Sequence, residues 1–213
     1  MTSGLPGGFY GIADADAAPD VLAFGRALLR GGVRVLQLRM KHRAPDVIRP
    51  VLETLRIDSA KVGAVLILND HPHLAAEFPE VGVHLGQHDV DPREARDLLP
   101  GRLIGWSTHD LEQIRRAGSL PVDYVGYGPI FSAATKHLHR ADRRTEDPAC
   151  GVEGLRAAVA ASVRPVVAIG GIDAASRADV WGANPHGVVA IGAVAGAPDP
   201  CVAAADWVSA CRR

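Results

Sequence analysis

Short apolar runs alternate with stretches of helical periodicity along the whole chain. The runs predict strands near Phe9–Ala13, Arg34–Leu38, Ala64–Asn69 and Gly82–Leu85, and four more near Leu103–Ser107, Asp123–Tyr127, Pro165–Ile169 and Gly187–Ile191. Several are apolar at nearly every position, as expected of strands covered on both faces. Between them lie helical patterns. One runs near Pro19–Arg30, with Val21, Leu22, Leu28 and Leu29 at helical spacing; others lie near Asp46–Ala60, Arg93–Leu99, Leu111–Ala117, Val152–Ala161, Ala174–Trp181 and Pro200–Ala210. Strand–helix alternation of this kind builds a parallel sheet. Eight strands with seven or eight helices is the count for a closed barrel. The expected fold is therefore α/β, a single (β/α)8 TIM barrel in one domain over residues 1–213. An open, doubly wound sheet is the competing architecture. The absence of Gly-x-Gly-x-x-Gly after the first strand counts against its dinucleotide-binding form. One stretch, Thr135 to Gly151, is long, polar and highly charged, and reads as a lid, a binding loop or a disordered segment.

Composition narrows the classes. The chain has 213 residues, 47% hydrophobic and 22% charged, with a net charge of −1. No global field draws it to nucleic acid or to a membrane surface, so any anion binding must be local. Neither a signal pattern at the N-terminus nor an apolar run long enough to span a bilayer is present. Cys150, Cys201 and Cys211 are odd in number and form no Cys-x-x-Cys pair, which argues against a disulfide framework or a zinc site. The expectation is a cytoplasmic protein. Lysine is scarce beside arginine: Lys41, Lys61 and Lys136 are the only three among 23 basic residues. Lys61 reads as a solvated helix end. Lys41 and Lys136 stand at strand exits, where a compact cation suits a phosphate oxygen.

In a barrel, chemistry gathers at the C-terminal ends of the strands. The second strand leaves as Gln37-Leu38-Arg39-Met40-Lys41, and alternation points Gln37, Arg39 and Lys41 one way. That is a grip for a polar ring beside a polyphosphate, or a solvated strand exit. The third strand ends at Asn69-Asp70, and the fourth is followed by Asp89. Two hard carboxylates at adjacent mouths suit Mg2+, which takes its other ligands from water and phosphate. Either aspartate has a helix N-cap as its alternative, although Asp91, just before Pro92, is the better cap and leaves Asp89 for other work. Ser107 ends the fifth strand as a donor to a phosphate oxygen, with His109 beyond it as an acid, a base or a structural histidine. Thr135 and Lys136 follow the sixth. The glycines of Val166-Val167-Ala168-Ile169-Gly170-Gly171-Ile172 and Gly187-Val188-Val189-Ala190-Ile191-Gly192 read as a phosphate cradle or as two ordinary strand exits. His71-x-His73 and His137-x-His139 lack the partners of a zinc site, and no nucleophile elbow is present.

These residues together resemble the thiamine phosphate synthase family. The resemblance rests on QLRMK at 37–41, ND at 69–70, GVHLGQHD at 82–89, GWSTH at 105–109, YGPIF at 127–131, TK at 135–136 and VVAIGGI at 166–172. It implies a transferase for thiamine biosynthesis that joins a hydroxymethylpyrimidine pyrophosphate to a thiazole phosphate. In the family the pyrophosphate departs first, and the thiazole nitrogen traps the resulting pyrimidine cation. By this resemblance the pyrimidine pyrophosphate lies on Gln37, Leu38, Arg39, Met40, Lys41, Asn69, Ser107, Thr135 and Lys136. Arg39, Lys41, Ser107 and Lys136 take catalytic roles, and Asp70 and Asp89 hold Mg2+. Gly171, Ile191 and Gly192 bind the thiazole phosphate, and a homodimer is the family expectation. The chain departs from the family pattern at Ala133, where a threonine is usual, at Gly192, where serine is frequent, and at His71, where arginine is frequent. The loop after Lys136 is also longer, with Arg140, Arg143 and Arg144 in it. Two other readings remain: a thiazole tautomerase-type isomerase of the same superfamily, using a base such as His109, and a non-catalytic barrel that binds thiazole or thiamine phosphates.

Overall fold

The computed structural model describes residues 4–132 and 148–212. Its strands form a closed parallel barrel in the order β1-β2-β3-β4-β5-β6-β7-β8. The strands are β1 (Gly8–Asp14), β2 (Val35–Arg39), β3 (Val65–Asn69), β4 (Gly82–Leu85), β5 (Ile104–Thr108), β6 (Tyr124–Tyr127), β7 (Val166–Ala168) and β8 (Gly187–Val188). Connecting helices are α1 (Val21–Arg30), α2 (Pro45–Lys61), α3 (Pro72–Ala76), α4 (Pro92–Leu98), α5 (Leu111–Ala117), α6 (Gly151–Ala161) and α7 (Arg177–Gly182), and the chain ends in α8 (Ile191–Ala195) and α9 (Pro200–Ala210). The open-sheet alternative is thereby excluded, because β1 pairs with both β2 and β8. No described helix is long and apolar enough to cross a membrane.

Strand alternation divides the apolar residues into two layers. Outward positions such as Phe9, Ala13, Leu36, Leu38, Leu66, Leu68, Val83 and Leu85 pack under the helices in one large cluster. Inward positions Tyr10, Ile12, Val35, Ile67, Tyr124, Val167 and Val189 form a second, smaller cluster inside the barrel. Tyr10 faces Tyr124 edge to face, with ring centroids 6.0 Å apart. Their bulk needs room, and glycine supplies it. A Cβ on Gly105 would lie 2.1 Å from the Tyr124 ring, so β5 can only be Gly at its first inward position.

The helix starts follow local chemistry. Asp20, Asp91, Asp110 and Asp199 each cap a helix by accepting a backbone N–H, and Pro92 and Pro200 occupy first-turn positions where no N–H is needed. Helix α7 begins at Arg177 rather than near Ala174, because the Asp173 carboxylate accepts from the Ser176 N–H and hydroxyl and holds a turn before it. The expected eighth strand, Gly187–Ile191, is shorter: pairing stops at Val188, and Ile191 opens α8. Helix α3 is five residues long and carries too little periodicity to be seen in the sequence.

The first and last helices close the barrel over β1. Gly31, the cap residue after α1, lies so near α9 that a Cβ would meet the Ala204 Cβ at 2.6 Å and the Cys201 carbonyl oxygen at 2.8 Å. Its φ of −70° is one that alanine adopts freely, so crowding alone is at issue. Gly31→Ala is expected to lower unfolding free energy by about 1–3 kcal/mol. Urea denaturation should show a lower midpoint at unchanged slope.

Candidate active site

A cavity of about 380 Å³ opens at the C-terminal ends of the strands. Its wall is built from inward positions of β1 to β7 and from residues just beyond the strand ends, Val189 and Ile191 after β8 among them. One side is apolar: Ile12, Val167, Ile169, Val189 and Ile191. The opposite side carries Arg39, Lys41, Asn69, Asp70 and Ser107.

Gln37, Arg39 and Lys41 share the cavity face, as alternation along β2 requires. Gln37 is only 2% exposed and donates from Nε2 to the Tyr10 hydroxyl at 2.9 Å. Arg39 is fixed by a partner that the sequence did not flag. Register sets Asp14 of β1 opposite it, and Nη1 donates to the Asp14 carboxylate at 2.7 Å. Asp16 stands 3.6 Å from the same nitrogen. Leu38 and Met40 occupy the intervening positions, and their side chains pack in the outer cluster under the helices. Any part they take in binding is thus confined to their backbone.

Asn69 is the last inward residue of β3. Strict alternation would turn Asp70 outward. Instead its φ of 65° places it in the left-handed region, which aspartate tolerates better than most residues. Its N–H still donates to the His84 carbonyl at 2.9 Å, and its side chain lines the cavity. Asp89 comes from the loop after β4, where its carboxylate accepts the Gly86 N–H at 2.6 Å. Asp91, not Asp89, caps α4. The Asp89 carboxylate lies close enough to Asp70 to act on its ionisation. Burial, then the neighbouring Asp89 carboxylate, raise the Asp70 carboxyl above its ordinary range, while Lys41 and Arg39 pull it down.

Behind this charged rim lies a neutral floor that the sequence did not reveal. Tyr10 and Tyr124 hydroxyls are 2.8 Å apart. His84 Nδ1 is 3.1 Å from the Tyr124 hydroxyl, and His84 Nε2 is 2.9 Å from Ser107 Oγ. Burial lowers the His84 imidazole to about 4, against a weaker pull from Asp89, so it is neutral near pH 7. Burial likewise raises both tyrosines, which stay protonated. The only sequence signal for these partners was parity: Tyr10, His84 and Tyr124 all fall on inward positions.

Gly170 and Gly171 both have positive φ, at 99° and 65°. A Cβ on Gly171 would lie 2.5 Å from the Phe131 carbonyl oxygen. The loop after β6 therefore presses on these glycines from one side, whatever binds on the other. Ile191 and Gly192 sit in the first turn of α8, where backbone N–H groups lack intrahelical partners. Neither Gly171 nor Gly192 lines the central cavity; Ile169 and Ile191 do. His109 is absent from the cavity wall, and its Nδ1 donates to the Gly128 carbonyl at 2.7 Å. Thr135 and Lys136, with Ala133, Arg140, Arg143 and Arg144, lie outside the described residues.

Residues 9–194 match the family described as thiamine monophosphate synthase. The chain is 40% identical over 188 residues to a thiamine-phosphate synthase of Albidiferax ferrireducens, covering 87% of this chain and 80% of that one. It is 35% identical over 202 residues to a thiamine-phosphate synthase of Chlamydia caviae, with 90% and 89% covered. Among solved structures, a thiamine phosphate pyrophosphorylase from Pyrococcus furiosus superposes with a TM-score of 0.85 at 29% identity, over 95% of this chain and 94% of that one. With the motifs ordered around one barrel mouth and the match running through nearly every strand, this chain belongs to the thiamine monophosphate synthase family.

Proposed function

We propose that the protein is a thiamine phosphate synthase, a transferase joining 4-amino-2-methyl-5-hydroxymethylpyrimidine pyrophosphate to a thiazole phosphate, with release of pyrophosphate. Family membership supports the reaction class. The observation that carries the assignment is the gathering of Arg39, Lys41, Asn69, Asp70 and Ser107 on one wall of one cavity. The apolar wall opposite offers a surface for flat ring systems, and the charged wall a place for a diphosphate. Gly171 with the first turn of α8 is the proposed seat of the thiazole phosphate. The three free thiols suit a reducing compartment and hence the cytoplasm.

Asp70 and Asp89 fit a divalent cation. The Asp89 carboxylate raises the cost of ionising Asp70, and a cation there removes that cost. Two protein carboxylates would leave the remaining ligand positions to waters and phosphate oxygens, as Mg2+ prefers. When bound, Mg2+ supplies positive charge to the departing pyrophosphate. Arg39 adds a fixed guanidinium to the same task, held in place by Asp14 before substrate arrives. Lys41 adds a second cation and Ser107 a hydroxyl donor. Lys136 is assigned the third cation on its motif alone. The barrel holds the ring nitrogen and the reacting carbon in one enclosure, which removes most of the entropic cost of their meeting. No protein base is required. The tautomerase reading needs one, and His109, its candidate, is engaged by the Gly128 carbonyl away from the cavity.

Purified protein given both substrates and Mg2+ is expected to form thiamine phosphate and pyrophosphate in equal amounts. EDTA should stop the reaction and added Mg2+ restore it. Isomerisation of the thiazole without coupling would favour the tautomerase reading, and binding without turnover the non-catalytic one. Asp70→Asn, which keeps size and tolerates the left-handed φ, should cut kcat by about 10²-fold or more. Its melting temperature should hold.

Asp14→Asn tests the Arg39 pairing separately. The Asp14 side chain is 10% exposed, so loss of its charge leaves a part-buried guanidinium less well held. Stability should fall by about 1–3 kcal/mol and kcat/KM by about tenfold. Unchanged steady-state kinetics in this variant would remove Asp14 from the site.

A further inference from the structure

We infer that Gln37, Tyr10, Tyr124 and His84 form a one-way hydrogen-bond relay that fixes His84 as its Nε2–H tautomer and leaves the Ser107 hydroxyl hydrogen to be donated into the cavity. The argument is a count of hydrogens along the floor. The Gln37 amide nitrogen can only donate, so the Tyr10 oxygen accepts from it. Tyr10 has one hydrogen of its own, and at 4% exposure it is best used on the neighbouring Tyr124 oxygen. Tyr124 is fully buried and in turn has one hydrogen, for which His84 Nδ1 is the remaining partner. An imidazole that accepts at Nδ1 carries its hydrogen at Nε2 and donates it to Ser107 Oγ. Ser107 then has a filled acceptor and an uncommitted hydrogen.

With the Gln37 amide nitrogen facing Tyr10, the opposite sense fails the same count. If Tyr124 donated to Tyr10, the Tyr10 oxygen would accept twice and its own hydrogen would have no partner in the floor. His84 would carry its hydrogen at Nδ1, and Ser107 would spend its hydrogen on Nε2. The cavity would then face a lone pair, which repels a phosphate oxygen. Buried donors without partners are rare, and that asymmetry selects the first sense. Tyr10, Tyr124 and His84 are thus positioning residues: they act through Ser107 and not on substrate. The link to catalysis rests on the proposed function, in which Ser107 meets a phosphate oxygen; the tautomer does not rest on it.

The test is nitrogen NMR on protein carrying isotopically labelled histidine, without substrate. His109 donates from Nδ1 to the Gly128 carbonyl and His186 from Nε2 to the Leu5 carbonyl, each at 2.7 Å, so the fold supplies a reference for either tautomer. His84→Gln identifies the His84 signals. The expected result is the Nε2–H form for His84, and a mixture of tautomers in Tyr124→Phe and in Tyr10→Phe, each of which removes one hydroxyl. An Nδ1–H form in the unaltered protein overturns the relay, as does a pure Nε2–H form in both variants. In the synthase assay Tyr124→Phe should lose about tenfold in kcat at unchanged KM. A released tautomer with unchanged kcat overturns the tie to Ser107. Absence of synthase turnover in the unaltered protein would defeat the proposed function while leaving the relay to be decided by the spectra.

Discussion

A closed barrel must fill its own interior, and here two tyrosines do so. Tyr10 and Tyr124 meet across the lumen, and each carries a hydroxyl that cannot be left unpaired away from water. That requirement reaches outward in both directions. Glycine is imposed at residue 105, because any side chain there would collide with Tyr124. Gln37 and His84 become the partners that satisfy the hydroxyls, and His84 in turn reaches Ser107 through its other ring nitrogen. The packing solution for the core is therefore also the polar floor of the cavity. Stability and site geometry share the same atoms.

The rim above that floor obeys a different rule. Charges stand where strands end, because only there can ionised groups keep part of their hydration. Arg39 is paired with Asp14 through the β1–β2 register, so its orientation is inherited from the sheet. Among the described residues of the cavity wall, Asp70 is the one that breaks strand alternation to reach it, and its left-handed φ is the means. Such a conformation persists only where the surroundings enforce it. The Asp70 N–H bond to the His84 carbonyl contributes to that enforcement.

Period-two and helical patterns were enough to place every strand to within a few residues, because burial on both faces leaves a strong apolar signature. Asp91 was legible as a cap, since a proline follows it and only the first helical position tolerates one freely. The inward polar residues of β2 were legible by parity, and Asn69 and Asp70 only as the polar end of β3. What escaped was non-local. Nothing in the neighbourhood of Asp14 announces Arg39, 25 residues away, and nothing near Tyr10 announces Tyr124, 114 residues away. Gly105 looks like a generic strand glycine until Tyr124 is placed beside it. Leu38 and Met40 were grouped with their neighbours through a shared motif, although parity alone sends their side chains to the helix layer. Ile191 reads as strand in the sequence because apolar identity does not tell a strand's last residue from the first of a short helix. Gly170 and Gly171 invited a phosphate reading, yet the loop at 128–131 demands them independently.

The separation of a neutral floor from a charged rim bears on how a substrate would sit. A floor of hydroxyls, an amide and an uncharged imidazole cannot neutralise a diphosphate, so the charged end of a substrate is driven to the rim. The heterocyclic end would be left to the Ile169 and Ile191 side of the cavity. Were His84 charged, it would compete for the anion and blur that polarity. Burial prevents this by holding its ionisation far below neutrality. The same desolvation that makes the two tyrosines good core residues thus keeps the floor electrically silent, and the silence gives the rim its direction.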